Sequence, residues 1–292
     1  MPPRLGVPAD ELIRWLDDLA ERVIRELHVD LSRLIPDGVP LRRDGRPVTE
    51  SAVDRILTLP HILAEEERLL VLVEARLAQG GADARIAGVD DLDGPQRELA
   101  AAVAGDRQIV LAVGPAGTGK TTALRPVVDH LRREGRAVFG TAPSATAAEV
   151  LGTDAGVDAD TIDKLLVEHA LDRPPDHRYD LPAGATVIVD EAAMVSTPRL
   201  VDLVELAGRS GWRLALVGDP LQFSAVGRAG MFDHLVATHG AIELEQVHRF
   251  NAPWEREASL RLRRGDTTVV DLYDQQGRIH GGTASQMRRA VV

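Results

Sequence analysis

The chain has 292 residues, enough for two domains or for one large domain with an appendage. It contains no cysteine, which excludes disulfides, thiolate metal sites and cysteine catalysis. The net charge of −11 argues against a surface coated with basic nucleic-acid contacts, although a local groove for a single strand needs few of them. No signal peptide and no apolar run of membrane-spanning length is visible, so we expect a cytoplasmic protein with no membrane partner.

The first 88 residues predict a small helical domain. Apolar residues at three- and four-residue spacing indicate a helix within residues 1–31, and two more helical regions are expected at about 51–59 and 61–77. A proline-rich stretch over residues 36–48 separates the first helix from the others. Because no catalytic constellation is visible before residue 88, we interpret residues 1–88 as an accessory or docking domain.

Residues 89–250 alternate between short apolar runs and helical patterns. Three of the runs, Ile109–Val113, Thr186–Val189 and Arg213–Val217, predict buried strands. This alternation predicts an α/β domain with a mainly parallel sheet and helices on both faces. Ligands in such sheets bind at the carboxyl ends of the strands, so we expect the functional residues in the loops that follow these runs.

The segment directly after the first of these strands matches the phosphate-binding pattern G-x-x-x-x-G-K-[ST] in full. Its glycines allow consecutive N–H groups to point at a phosphate, and the following helix adds its positive end. Lys120 supplies charge to the terminal phosphates, and the Thr121 hydroxyl is placed to hold Mg²⁺. A chance match in a glycine-rich turn is the alternative. We predict an ATP site formed by Gly114, Pro115, Ala116, Gly117, Thr118, Gly119, Lys120, Thr121 and Thr122.

Two carboxylates, Asp190 and Glu191, follow the second apolar run. One carboxylate at a strand's carboxyl end can hold Mg²⁺ on the phosphates, and a second can orient or deprotonate the attacking water. The alternative is a pair of acids at the start of an exposed turn. With a complete phosphate loop upstream, we favour the catalytic interpretation and predict Asp190, together with Thr121, as metal ligands.

The third apolar run leads into Gly218-Asp219-Pro220-Leu221-Gln222. Gln222 can hydrogen-bond both a γ-phosphate oxygen and the attacking water. A β-turn built on the Asp-Pro step explains the same residues equally well.

The order of these motifs resembles the superfamily 1 helicases, in particular the RecD/TraI-like branch that includes the helicase regions of TraI/TrwC-type conjugative relaxases. The resemblance covers residues 92–250 and implies an N-terminal RecA-like ATPase lobe. Leu92-Asp93-Gly94-Pro95-Gln96 is similar to the family's glutamine motif, which implies that Gln96 reads the adenine edge. Val247-His248-Arg249-Phe250 is similar to the motif whose arginine, here Arg249, reaches the γ-phosphate. The implied catalytic residues are Lys120, Asp190, Glu191, Gln222 and Arg249.

The same resemblance implies contacts with single-stranded DNA. Thr141–Ala148 is similar to motif Ia, and Thr161–Leu166 is similar to motif Ib, with Asp163 where histidine is usual. Small hydroxyl residues at the ends of strands and helices can position a phosphate without reading a base. Ordinary helix caps explain these hydroxyls equally well. The implied DNA-binding residues are Thr141, Pro143, Ser144 and Thr161.

The family motor needs two RecA-like lobes that close on one ATP, and only about forty residues follow Arg249. Arg263 and Arg264 lie in this stretch, but in no recognisable second-lobe motif. We therefore expect residues 251–292 to be the truncated start of a second lobe, poorly ordered or loosely packed, and that second lobe would be a partner in cis or trans. Hydrolysis would then be feeble and unwinding absent.

The alternatives to a helicase lobe are a non-catalytic ATP-binding module of a larger complex and another P-loop enzyme, such as a small-molecule kinase.

Overall fold

The computed structural model divides the chain into two compact units, Met1–Leu69 and Leu70–Val292. The boundary between these units falls inside a helix, and the change of domain at residue 88 stays a prediction. The residues that the structure describes are 9–30, 57–115, 117–222, 230–244, 250, 252–279 and 281–283.

The first unit contains a long helix and a small antiparallel pairing. Its elements are α1 (Ala9–Leu27), β1 (Val29–Asp30), β2 (Leu57–Thr58) and the start of α2 (Pro60–Leu77). Helices α1 and α2 agree with the helices predicted within residues 1–31 and 61–77. The prediction of a helix over 51–59 is wrong at the two residues of β2, because they pair with β1; residues 51–56 lie outside the described part.

The second unit alternates strands and helices as predicted. Its strands are β3 (Ile109–Val113), β4 (Val138–Ala142), β5 (Ala159–Thr161), β6 (Thr186–Val189), β7 (Arg213–Gly218) and β8 (Ile242–Glu243). Its helices include α3 (Gly94–Ala104), α4 (Lys120–Arg133), α5 (Ala145–Ala155), α6 (Ile162–Ala170), α7 (Thr197–Ser210), α8 (Met231–His239), α9 (Pro253–Arg263) and α10 (Val269–Gln275). None of the helices in the described ranges combines the length and the apolarity that a membrane crossing requires.

The strands of the second unit form one six-stranded sheet in the order β5-β4-β6-β7-β3-β8. Every neighbouring pair is parallel, which confirms the predicted α/β P-loop fold. Strand β7 lies between β3 and β6, with Val113 opposite Gly218 and Val189 opposite Leu216. The loops that follow β3, β6 and β7 therefore leave the sheet at the same edge, as the motif order requires.

Aliphatic side chains form the core beneath this edge. Every residue of β3 and of β6 is buried, as expected for strands covered by helices. Leu99 and Val103 of α3 and Leu124 of α4 belong to the same buried cluster. Burying one such side chain stabilises a fold by about 1.5–3 kcal/mol. The strands and helices that carry the candidate site are therefore anchored in the core.

Within the tail, residues Pro253–Arg263 and Val269–Gln275 form helices α9 and α10. That the tail is poorly ordered or loosely packed stays a prediction. Ala258 and Val269 are buried, although the tail has few large aliphatic residues. The rings of Trp254 and Tyr273 pack edge to face with centroids 5.3 Å apart. This aromatic packing joins α9 to α10.

A buried carboxylate, Glu168 of α6, holds the loop that follows this helix. It accepts hydrogen bonds from Lys164 Nζ at 2.6 Å, from Arg173 Nη2 at 2.9 Å and from the Asp176 N–H at 3.3 Å. The hydrogen bond from Lys164, followed by those from Asp176 and Arg173, lowers the pKa of Glu168 from its usual 4.5 to about 2. The polar loop is thus tied to the helix by an ionised carboxylate.

We expect Glu168→Gln to lower the free energy of unfolding near neutral pH, because a neutral amide replaces the carboxylate that three donors share. A lowered pKa stabilises the fold above the unfolded value, and this contribution is lost as pH falls from 4.5 towards 2. Urea unfolding of the variant and the parent should therefore converge over that pH range. Glu149→Gln, at an exposed position of α5, is the control. A stability difference independent of pH would contradict the assignment.

Candidate nucleotide-binding site

The phosphate loop connects β3 to α4, and its glycines meet a geometric requirement. Gly117 and Gly119 have φ of 83° and 77°, in the left-handed region that favours glycine. A β-carbon on Gly114 would lie 2.6 Å from Lys120 Cγ, so the loop closes tightly around the lysine stem. The Gly114 N–H donates to the Gly218 carbonyl at 2.9 Å, which joins the loop to the end of β7. The predicted ligand Ala116 lies outside the described residues.

Gln96 braces this loop from helix α3. Its Nε2 donates to the Thr118 carbonyl at 2.9 Å, and its Oε1 accepts from the Asp93 N–H at 3.1 Å. Asp93 in turn caps the helix by accepting from the Gln96 N–H at 2.8 Å. The Thr118 hydroxyl donates to the Pro115 carbonyl at 2.8 Å, inside the loop. The sequence analysis predicted a contact between Gln96 and the adenine base, and that contact stays a prediction. The sequence analysis did not predict the hydrogen bond from Gln96 to the phosphate loop.

Lys120 is the first residue of α4 and is almost fully buried. Its Nζ lies 3.5 Å from Oε1 of Glu191, the carboxylate that follows β6. The other Glu191 oxygen, Oε2, is buried and has no hydrogen-bond partner among the described residues. The structure therefore brings two of the predicted catalytic side chains together. An ammonium group paired with this carboxylate can exchange it for a phosphate.

Glu191 has a strained backbone, with φ of 52°. It is the only non-glycine residue with positive φ in the described part of the chain. Such a conformation costs on the order of 1–3 kcal/mol and concentrates at functional sites. The strain aims Glu191 at Lys120, so it supports a functional interpretation of the acidic pair over an ordinary exposed turn.

Asp190 directly follows β6 and is also buried. Its Oδ1 accepts from the Glu191 N–H at 2.9 Å, which leaves the second carboxylate oxygen for another ligand. Thr121 lies beside Lys120 in the first turn of α4 and is half-buried. A hydroxyl and a carboxylate oxygen at the edge of a phosphate loop are the donors that Mg²⁺ prefers. The residues present fit the predicted ion.

Gln222 lies at the end of the turn after β7. Its N–H donates to the Asp219 carbonyl at 3.1 Å, and the Leu221 N–H donates to Asp219 Oδ1 at 3.1 Å. The β-turn that the Asp-Pro step suggested is therefore present. A turn of this kind does not exclude a role for the half-buried Gln222 side chain at a phosphate. Arg249 lies outside the described residues, so its position relative to Lys120 stays a prediction.

A family model described as an AAA domain matches residues 91–284. The chain belongs to this AAA domain family.

Relatives of this AAA domain occur in longer proteins. A probable conjugal transfer protein TraA from Sinorhizobium fredii is 34% identical over 178 residues, which cover 61% of this chain and 16% of that protein. An ATP-dependent RecD2 DNA helicase from Deinococcus radiodurans is 33% identical over 238 residues, which cover 78% of this chain and 32% of that protein. The chain thus spans a third or less of the length of either relative. The predicted resemblance to the RecD/TraI-like branch is confirmed, and the AAA domain is a helicase-like ATPase domain related to RecD and TraA.

Among solved structures, the Pif1 helicase from Candida albicans is similar to this AAA domain with a TM-score of 0.49 and 19% sequence identity. The similarity covers 66% of this chain and 49% of that one.

The residues predicted to contact DNA differ in their exposure. Thr141 is fully buried, and its Oγ1 has no hydrogen-bond partner within the described ranges. A DNA phosphate cannot reach it without a rearrangement of β4. Ser144 is exposed, while Pro143 and Thr161 are half-buried. The hydroxyls of Ser144 and Thr161 accept from the N–H groups of Ala147 and Lys164, each at 3.2 Å, so both residues act as helix caps.

We expect Gln96→Ala to weaken binding of ATP and GTP by the same factor, about fivefold, because one hydrogen bond that braces the phosphate loop is lost. Equilibrium binding of fluorescent ATP and GTP analogues checks this. Glu98→Ala, at an exposed position of the same helix, should leave both affinities unchanged. A loss confined to the adenine nucleotide would instead support the contact with the base edge.

We expect Glu191→Gln to bind ATP more tightly than the parent and to hydrolyse it at least about 10²-fold more slowly. The neutral amide no longer competes with phosphate for Lys120 and no longer repels the triphosphate, but it cannot accept a proton from water. Isothermal titration and single-turnover hydrolysis measure the two effects. Glu243→Gln, on the exposed side of β8, should change neither the affinity for ATP nor the rate of hydrolysis. Unchanged hydrolysis in Glu191→Gln would remove Glu191 from the reaction.

Proposed function

We propose that this AAA domain is the first, RecA-like motor lobe of a DNA-dependent ATPase and helicase that acts on single-stranded DNA. The proposed setting is a conjugative relaxase or a RecD-like repair helicase. The single observation that carries the proposal is the contact between Lys120 and Glu191 beside a complete phosphate loop. This contact places a phosphate-binding cation next to a carboxylate suited to activate water. ATP hydrolysis requires both groups within one site.

In the proposed binding step, the N–H groups of the phosphate loop and the start of α4 hold the phosphates of ATP. Lys120 Nζ leaves Glu191 and contacts the terminal phosphates. Thr121 and Asp190 would hold Mg²⁺, and this ion, when bound, neutralises charge on the phosphate oxygens. Gln96 keeps the loop in its binding shape through the Thr118 carbonyl.

In the proposed hydrolysis step, Glu191 accepts a proton from the attacking water once Lys120 has moved to the phosphate. The water oxygen bonds to the γ-phosphorus, and the bond from that phosphorus to the β,γ-bridging oxygen breaks. ADP leaves with the electron pair. Lys120 stabilises the charge that develops, and Gln222 and Arg249 are proposed to contact the γ-phosphate.

The proposed DNA contacts lie in loops after β4 and β5, at the same sheet edge as the nucleotide. Pro143, Ser144 and Thr161 are the accessible members of the predicted set. One relative is named a DNA helicase and another a conjugal transfer protein, which supports nucleic acid as the partner. Translocation needs a second lobe that opens and closes over the nucleotide. We therefore propose a second RecA-like lobe as partner and only feeble hydrolysis by this chain without it.

The domain organisation is proposed on the same basis. Residues 89–250 would form the ATPase lobe, residues 1–88 an accessory domain, and residues 251–292 the start of the second lobe. The ordered helices α9 and α10 are compatible with that last assignment.

Steady-state ATP hydrolysis with and without single-stranded DNA tests the proposal. We expect slow turnover that DNA stimulates and that Lys120→Ala abolishes, because the alanine removes the charge that binds the terminal phosphates. Arg132→Ala removes a positive charge from an exposed position of the same helix and should keep the parental rate. Nucleotide binding without any turnover would favour the non-catalytic module. Turnover that is insensitive to DNA would argue against a helicase.

A further inference from the structure

Asp219 is a buried carboxylate next to the candidate site. It directly follows β7 and is 2% exposed. Its Oδ1 accepts from the Leu221 N–H and its carbonyl accepts from the Gln222 N–H, each at 3.1 Å. Asp219 therefore accepts hydrogen bonds from the last two residues of the turn that carries Gln222. We call residues 219–222 the sensor turn.

A buried carboxylate needs a counter-charge, and Arg263 supplies it from a distant part of the chain. Arg263 is the last residue of α9, 44 positions after Asp219. Its Nε lies 3.2 Å from both oxygens of Asp219, and its Nη2 donates to Oδ1. Such a two-pronged contact fixes the orientation of the carboxylate as well as its charge.

A second carboxylate increases the need for this cation. Burial, and then the charge of Asp219, raises the pKa of Asp233 in α8. The sensor turn therefore lies in a region where negative charge is costly. Without Arg263, the buried Asp219 carboxylate would lack its counter-charge and would turn towards water, which would loosen the turn.

The arginines beside Arg263 do not share its role. Arg261 pairs with Asp266 at 2.9 Å and so stays within the helical hairpin α9–α10. Arg264 is exposed and shows no ion pair within the described ranges. The link from this hairpin to the sensor turn therefore runs through the guanidinium of Arg263.

We propose that Arg263 is a positioning residue for the nucleotide site, and that its ion pair with Asp219 couples helix α9 to Gln222. A shift of α9 would release Asp219, loosen the sensor turn and move Gln222 away from the γ-phosphate. Conversely, a γ-phosphate that engages Gln222 would stabilise the pair and hold α9 in place. The role at the γ-phosphate rests on the proposed function, whereas the order of the turn does not.

The test compares Arg263→Gln with Arg264→Gln in the full chain, since both remove one positive charge from the end of α9. Amide hydrogen exchange at Leu221 and Gln222 reports the sensor turn without nucleotide. We expect faster exchange in Arg263→Gln and parental exchange in Arg264→Gln. Arg263→Lys should also exchange faster than the parent, because an ammonium group cannot make the two-pronged contact.

Nucleotide discrimination is the second readout. The ratio of the affinities for a non-hydrolysable ATP analogue and for ADP should fall about tenfold in Arg263→Gln, the size of a typical coupling between sites. The affinity for ADP should stay close to the parental value, because ADP has no γ-phosphate. A general loss of structure would weaken both nucleotides together, so the ratio separates positioning from folding.

The outcomes distinguish the two proposals. If the parent binds neither nucleotide, the proposed function fails, and hydrogen exchange alone decides whether Arg263 orders the turn. The coupling is refuted if the parent binds the ATP analogue and ADP with different affinities while Arg263→Gln keeps the parental affinity ratio and the parental exchange rates. Should Arg263→Gln not fold, Asp219→Asn replaces it, because it breaks the same pair and leaves the partly exposed Arg263 to water. The same two readouts then apply to Asp219→Asn.

Discussion

The contact between Lys120 and Glu191 depends on a constraint of the whole sheet. The lysine follows β3 and the carboxylate follows β6, two strands that do not touch because β7 lies between them. Parallel pairing aligns their carboxyl ends, and the strained backbone at Glu191 turns its side chain back towards the lysine. Any loss of register in β7 would separate the two charges. The geometry of the site therefore depends on the pairing of the strands, and the aliphatic core beneath the site maintains the register of that pairing.

Hydrogen bonds that look like local structure also serve the site. Gln96 belongs to a helix-capping box, yet its amide reaches the carbonyl of Thr118 in the phosphate loop. Asp219 forms a turn of the kind that an Asp-Pro step favours, yet its charge is balanced by Arg263 from a later helix. Both residues connect the nucleotide region to a helix. The proposed motor would use such connections, because a displaced helix alters the phosphate loop or the sensor turn without touching the ligand.

Most of the fold could be predicted from the sequence. The buried strands appear as uninterrupted apolar runs, and the phosphate loop combines residue types that few other structures require in that order. The acidic pair after β6 was predicted for the same reason, since a strand's carboxyl end is where such residues act. One prediction failed where the local pattern is weak, since Leu57 and Thr58 pair with β1 and do not belong to a helix. The contact between Trp254 and Tyr273, which joins helices α9 and α10, likewise has no signal in the local pattern. The burial of Thr141 was also not visible in the sequence, and its contact with DNA stays a prediction.

The sequence by itself determined the parallel α/β fold, the phosphate loop and the choice of residues predicted to bind the outer phosphates. Periodicity and short motifs carry that information, because both depend on neighbours in the chain. Only the tertiary structure decided that Lys120 meets Glu191, that Gln96 braces the loop and that Arg263 neutralises Asp219. These contacts join residues far apart in the chain. Their formation depends on strand order and helix position, which no local pattern records.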